Sequence, residues 1–126
     1  MKIKYYNANP KKWKREGDCV VRAICTVLNQ SWELTYMELC ELGLRKCMMP
    51  NSKLLYEAYL KSKGLEKQKM PKKANGKRYT IREFVEERPD FIGIISVAGH
   101  LTCVANGSLI DTWDCSDKSI CNYWEV

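Results

Sequence analysis

Phe91-Ile-Gly-Ile-Ile-Ser-Val-Ala-Gly-His-Leu-Thr-Cys-Val-Ala-Asn-Gly-Ser-Leu-Ile-Asp-Thr-Trp113 is the stretch that decides the fold. Phe91 to Val97 is a continuous apolar run of strand length, which predicts a buried central strand. Asn106-Gly107 is the strongest short hairpin signal, and it separates two strand-like runs, His100–Ala105 and Ser108–Trp113. A two-residue turn pairs Ala105 with Ser108, Thr102 with Asp111 and His100 with Trp113. Side chains alternate along a strand, so His100, Thr102 and Val104 share a face with Leu109, Asp111 and Trp113. Asp111 is then the diagonal neighbour of His100, about 7–8 Å away by backbone and within side-chain reach. A three-residue turn instead sets Asp114 opposite His100, so register decides which aspartate meets the ring. Asn-Gly favours the two-residue turn, and therefore Asp111.

Upstream of this block the apolar period changes. Residues 1–16 read as irregular, with Asn7, Asn9 and Pro10 breaking any period. A first helix is expected from Asp18 to Leu28 or Asn29, with Asp18 as its N-cap and Val21, Ile24, Cys25 and Leu28 as its buried stripe. Ser31 caps a second helix running to Arg45. Asn51 caps a third, which Gly64 ends. Thr80-Ile-Arg-Glu83 reads as the capping box of a short helix that stops before Pro89. Tyr123-Trp124 supplies a last short strand. Helices first and strands after predict an α+β fold, N-terminal helices packed on a C-terminal antiparallel sheet, in one domain over residues 1–126.

Composition narrows the class. The chain has 126 residues, 45% of them hydrophobic, and a formal charge of +6. No run approaches the ~20 apolar residues that span a bilayer, so no membrane partner is expected. Met1-Lys-Ile-Lys-Tyr-Tyr6 lacks the apolar centre of a signal peptide, which implies a cytoplasmic protein. Seven cysteines is an odd number, without a Cys-x2-Cys pair. That excludes a disulfide scaffold and the usual zinc spacing, and fits free thiols in a reducing compartment. A zinc site built from cysteines distant in sequence is the one alternative to a metal-free, cofactor-free chain. Lys67, Lys69, Lys72, Lys73, Lys77 and Arg78 concentrate positive charge beside Pro71 and Gly76. Such a segment attracts phosphate or an acidic partner, yet no aromatic interleaves it before Tyr79, which favours a solvated loop over a nucleic-acid surface.

The candidate chemistry rests on Cys19, His100 and Asp111. Cys19 opens the first helix, where the amide N–H groups lower a thiol's pKa from about 8.5, and a nearby imidazolium lowers it further. His100 is the sole histidine of the chain and has an aspartate beside it. A thiol, an imidazole and an orienting carboxylate are the parts of a nucleophilic triad. Asp18 opposes the thiolate unless its charge is spent on capping the helix.

Cys19 on a helix, His100 on a strand and then Asp111-Thr112-Trp113 resembles the papain-like cysteine peptidases. In that family a histidine on a sheet is followed by Asn-Ser-Trp. Asp111 matches the orienting Asn, and Trp113 the Trp that shields its contact from water. The order Cys, His, Asp is also that of bacteriocin-processing peptidases, cell-wall amidases and transglutaminases. Gly17-Asp18-Cys19-Val-Val-Arg-Ala-Ile24 is similar to small proteins common in phages and their hosts. The resemblance implies a papain-like thiol hydrolase acting on a peptide or protein substrate, without a cofactor. It covers residues 17–28 and 91–124. One position departs from the pattern: the family's oxyanion-hole Gln, six residues before the nucleophile, is Trp13 here. Asn7 or Asn9 is the candidate substitute. Without such a donor the expected rate loss is ~100–1,000-fold, so the alternative is a catalytically weak or inactive papain-like fold that binds a host protein.

Overall fold

A computed structural model describes residues 1–126. The element order is β1 (Lys2–Tyr5), α1 (Cys19–Val27), α2 (Trp32–Lys46), α3 (Lys53–Ser62), α4 (Ile81–Glu87), β2 (Gly93–Val97), β3 (His100–Ala105), β4 (Ser108–Asp111) and β5 (Asn122–Glu125). This is an α+β arrangement, with the strands in one sheet of order β1-β4-β3-β2-β5. The hairpin has the two-residue turn: Ala105 pairs with Ser108, Val104 with Leu109 and Cys103 with Ile110. Asn106 and Gly107 both hold positive φ, at 54° and 74°, which is what such a turn demands.

The sheet is mixed, and this corrects the expectation of a purely antiparallel one. Lys2–Tyr5, expected to be irregular, forms an edge strand that runs parallel to β4. Its sequence, Lys-Ile-Lys-Tyr, is short and half charged, so its strand signal is weak. Those lysines suit an edge, where charge discourages pairing with another chain. The strand extends the sheet beside the hairpin: Tyr6 N–H donates to the Asp111 carbonyl at 2.9 Å.

Apolar alternation splits the core across the two faces of the sheet. Ile94, Leu101, Cys103 and Trp124 join the side chains of α1, α2 and α3 on one face. Ile95, Val97, Val104 and Leu109 join Ile81, Phe84 and Val85 of α4 on the other, with Phe91, Cys115 and Ile120. Every residue of β2 is buried, as the unbroken apolar run requires. Capping follows the sequence in part. Ser31 accepts from Leu34 N–H, and Thr80 and Glu83 form the reciprocal capping box. At α3 the N-cap is Ser52 rather than Asn51, one residue later, and no side chain bonds there. Asp18 holds the N-cap position of α1, but its side chain makes no cap bond.

Gly93 is fixed by packing. A Cβ there would lie 2.1 Å from the Trp124 carbonyl oxygen and 2.7 Å from Phe91 Cζ. The neighbour that must yield first is sheet backbone, so relief by a side-chain rotation is closed. Gly93→Ala is expected to destabilise the fold by about 1–3 kcal/mol. A urea unfolding curve checks this, with an unchanged midpoint counting against the packing argument.

Candidate active site

Three elements bring the triad together. α1 begins at Cys19, β3 begins at His100 and β4 ends at Asp111. His100 Nε2 lies 2.6 Å from Asp111 Oδ2, with both side chains largely buried. The other carboxylate oxygen, Oδ1, accepts the Thr112 backbone N–H at 2.6 Å. Asp111 is therefore held from two sides. Burial pushes its pKa up, but the His100 hydrogen bond and charge outweigh that and leave it lowered.

Cys19 is half-buried and lines the same cleft as His100. With Nε2 committed to Asp111, Nδ1 is the ring nitrogen left for the sulfur. Burial pushes the thiol up; the neighbouring His100, the Leu101 backbone and the charges of His100 and Arg22 together bring it below its ordinary value. The imidazole shifts the opposite way. Burial lowers it, but the bond to Asp111 and the neighbouring Cys115 and Cys19 prevail and the ring is raised. Both shifts favour the charged form of their group.

Trp113 completes the enclosure. β4 stops at Asp111, so the expected backbone pairing of His100 with Trp113 does not form. The side chain arrives nonetheless, with indole Nε1 3.2 Å from His100 Nε2 and the rings crossed at 60°. A proton between Nε2 and Asp111 occupies that nitrogen's lone pair, so the indole acts as a cover over the contact. Asp114 takes no part in it. Its carboxylate accepts from Ser116 N–H at 2.9 Å and Ser116 Oγ–H at 2.5 Å, which folds the following loop.

Asp18 does not oppose the thiolate, because its charge is engaged. It pairs with Arg22 one helical turn along. It also accepts from Asn9 Nδ2 and from Trp32 Nε1, each at 3.0 Å. Arg22 Nη2 in turn lies 4.0 Å from Asp111 Oδ1, linking the two aspartates. Neither candidate oxyanion asparagine faces Cys19. The Asn9 amide is spent on Asp18, and the Asn7 amide donates to the Trp13 carbonyl at 3.1 Å. The physical reason is local: both side chains hold the turns of the N-terminal segment, Asn7 accepting from Asn9 N–H and Asn9 from Lys11 N–H.

A cleft of about 500 Å3 opens at Cys19 and His100, bordered by Gly17, Val20, Asn51, Lys53 and Tyr56. The first backbone bond of α1 runs from Arg22 N–H to the Asp18 carbonyl, so the Cys19 amide is left outside the helical ladder. Asn51 and Lys53 are exposed polar side chains on the same cleft. Sequence reasoning missed Asn51, Arg22 and Cys115. Arg22 carried a legible signal, four residues after Asp18 on one helix face; the other two depend on tertiary packing.

The basic segment is partly neutralised within the fold. Lys67 pairs with Glu57 at 2.5 Å and Lys73 pairs with Glu83. Arg78 donates to the Ile120 carbonyl. Lys69, Lys72 and Lys77 remain exposed. All seven cysteines are free, and no helix is long and apolar enough to cross a membrane. No family model matches this chain, and no curated protein or solved structure matches it either.

Proposed function

We propose that the chain is a thiol hydrolase of papain-like design, a cysteine peptidase or amidase. The observation that carries this reading is the placement of Cys19, at a helix N-terminus, on the same cleft as a largely buried His100 that is itself bonded to Asp111 at 2.6 Å. The Cys19 thiolate attacks a substrate amide carbonyl. His100 protonates the departing amine, leaving a thioester on Cys19. The ring then takes a proton from water, which hydrolyses the thioester and restores the thiol pair. Asp111 holds the ring in one orientation, and Trp113 keeps water off their bond. The oxyanion is met by the Cys19 backbone N–H, with Asn51 as the side-chain amide bordering the cleft.

The second reading is a fold that keeps the triad but binds a protein partner without cleaving it. It is favoured by one observation, the engagement of Asn7 and Asn9 elsewhere. A nucleic-acid module using residues 67–78 is weakened by the pairing of Lys67, Lys73 and Arg78 within the fold.

Iodoacetamide labelling at pH 6.5, read by peptide mass spectrometry, separates the first two. Cys19 is expected to react faster than the other six cysteines. His100→Ala is expected to slow it by about tenfold: a free thiol is only ~1% thiolate at this pH, but a low-pKa thiolate is also a weaker nucleophile. Cys19 labelling no faster than Cys47, the exposed cysteine, overturns the catalytic reading in favour of the binding one.

A further inference from the structure

The His100–Asp111 pair has a third neighbour that the hydrolytic cycle does not use. Cys115 is 1% exposed and Asp111 6%. The Cys115 thiol donates to Asp111 Oδ2 at 3.8 Å. Nitrogen, oxygen and sulfur donors from the three side chains all lie within 4.8 Å of one another. We propose that His100, Asp111 and Cys115 form a site for a thiophilic divalent cation of the zinc class, and that the ion switches the Cys19 nucleophile off.

Donor chemistry sets the class of ion. Hard cations such as calcium and magnesium take oxygen ligands, whereas one imidazole, one carboxylate and one thiolate suit zinc. Spacing agrees. Donors at ~2.0–2.3 Å from a tetrahedral zinc lie about 3.3–3.8 Å apart, and the Cys115 sulfur already stands 3.8 Å from the Asp111 oxygen. The Nε2–Oδ2 separation of 2.6 Å is that of a hydrogen bond, and it widens when the ion replaces the proton.

Charge also balances. Zinc, the Asp111 carboxylate, a Cys115 thiolate and a neutral His100 imidazole sum to zero, so no net charge is buried. Binding through His100 Nε2 and Cys115 Sγ displaces the protons that those atoms carry. Three protein donors leave the fourth position of a tetrahedral ion without a ligand from these side chains. The consequence for Cys19 rests on the hydrolase reading above; the binding itself does not. With Nε2 on the metal, the ring carries no positive charge to hold the thiolate and has no second nitrogen through which Asp111 can orient it.

The test uses the full chain, freed of metal by chelation and titrated with Co2+ as a spectroscopic stand-in. Wild type is expected to show a sulfur-to-cobalt charge-transfer band with tetrahedral d–d bands, which Zn2+ displaces. Cys19→Ser should keep the band, and Cys115→Ser should lose it. Stoichiometric Zn2+ should slow Cys19 alkylation by about tenfold in wild type but leave Cys115→Ser unaffected. Calorimetry of wild type in buffers of different ionisation enthalpy should count a net release of protons per Zn2+, those displaced from the ligands less the one that Cys19 takes up. This count does not depend on any variant folding. Absence of the band in wild type, loss of it in Cys19→Ser, or no proton release overturns the site. A Cys115-dependent band with unchanged Cys19 alkylation overturns the switch, whereas slow Cys19 alkylation in the metal-free protein speaks against the hydrolase reading alone.

Discussion

On the proposed hydrolase reading, Cys19→Ala and His100→Ala are each expected to lower amide hydrolysis by about 10,000-fold or more, and the double variant is expected to be no worse than either. On that reading the thiol and imidazole act as one device. Removing the ring eliminates the proton donor for the leaving amine and the base for deacylation, and a positioned acid–base group is worth ~100–10,000-fold in each role. Removing the sulfur eliminates the covalent route altogether. Product formation from a peptide library, quantified by mass spectrometry, measures both. Losses that multiply in the double variant would mean that the two residues work independently, which is incompatible with a thiolate–imidazolium pair.

Asp111 gives the second large effect, and its size depends on the replacement. Asp111→Ala removes the partner of His100 and the second carboxylate near Arg22. Breaking a buried charged pair from one side costs about 3–5 kcal/mol, and a ring free to turn loses much of its acid–base contribution, about 100–1,000-fold in rate. Asp111→Asn retains an oxygen to accept from Nε2, so its rate is expected to stay within about tenfold of wild type, at a stability cost of about 1–2 kcal/mol. Kinetics and urea unfolding on both variants decide the matter. If Asn is as damaging as Ala, the negative charge itself is required; if Ala leaves the rate intact, Asp111 does not orient the ring.

The parts legible in the sequence are those that local rules determine. Asn106-Gly107 fixed the turn, the turn fixed the register, and the register put Asp111 rather than Asp114 beside His100. The Thr80–Glu83 capping box was legible for the same reason, since its two partners lie within one helical turn. Long-range pairing was not. The parallel edge strand Lys2–Tyr5 finds its partner more than a hundred residues away, and nothing in Lys-Ile-Lys-Tyr announces it. Asn7 and Asn9 looked free because their segment has no period, yet they build its turns and anchor Asp18. Cys115 reads as one apolar residue among seven cysteines, and only the folded loop after β4 turns it towards His100.

The separation between α1 and β3 has a consequence for synthesis. Cys19 leaves the ribosome 81 residues ahead of His100. Chains grow at about 5–20 residues per second, so for several seconds the nascent protein carries a thiol with no imidazole beside it. Its neighbours in that interval are those of an ordinary cysteine, without ring, Leu101 amide or Asp111. The proposed nucleophile is thus armed only when the central strand of the sheet docks on the first helix. An unfinished chain, or one opened by stress, disarms itself by the same geometry.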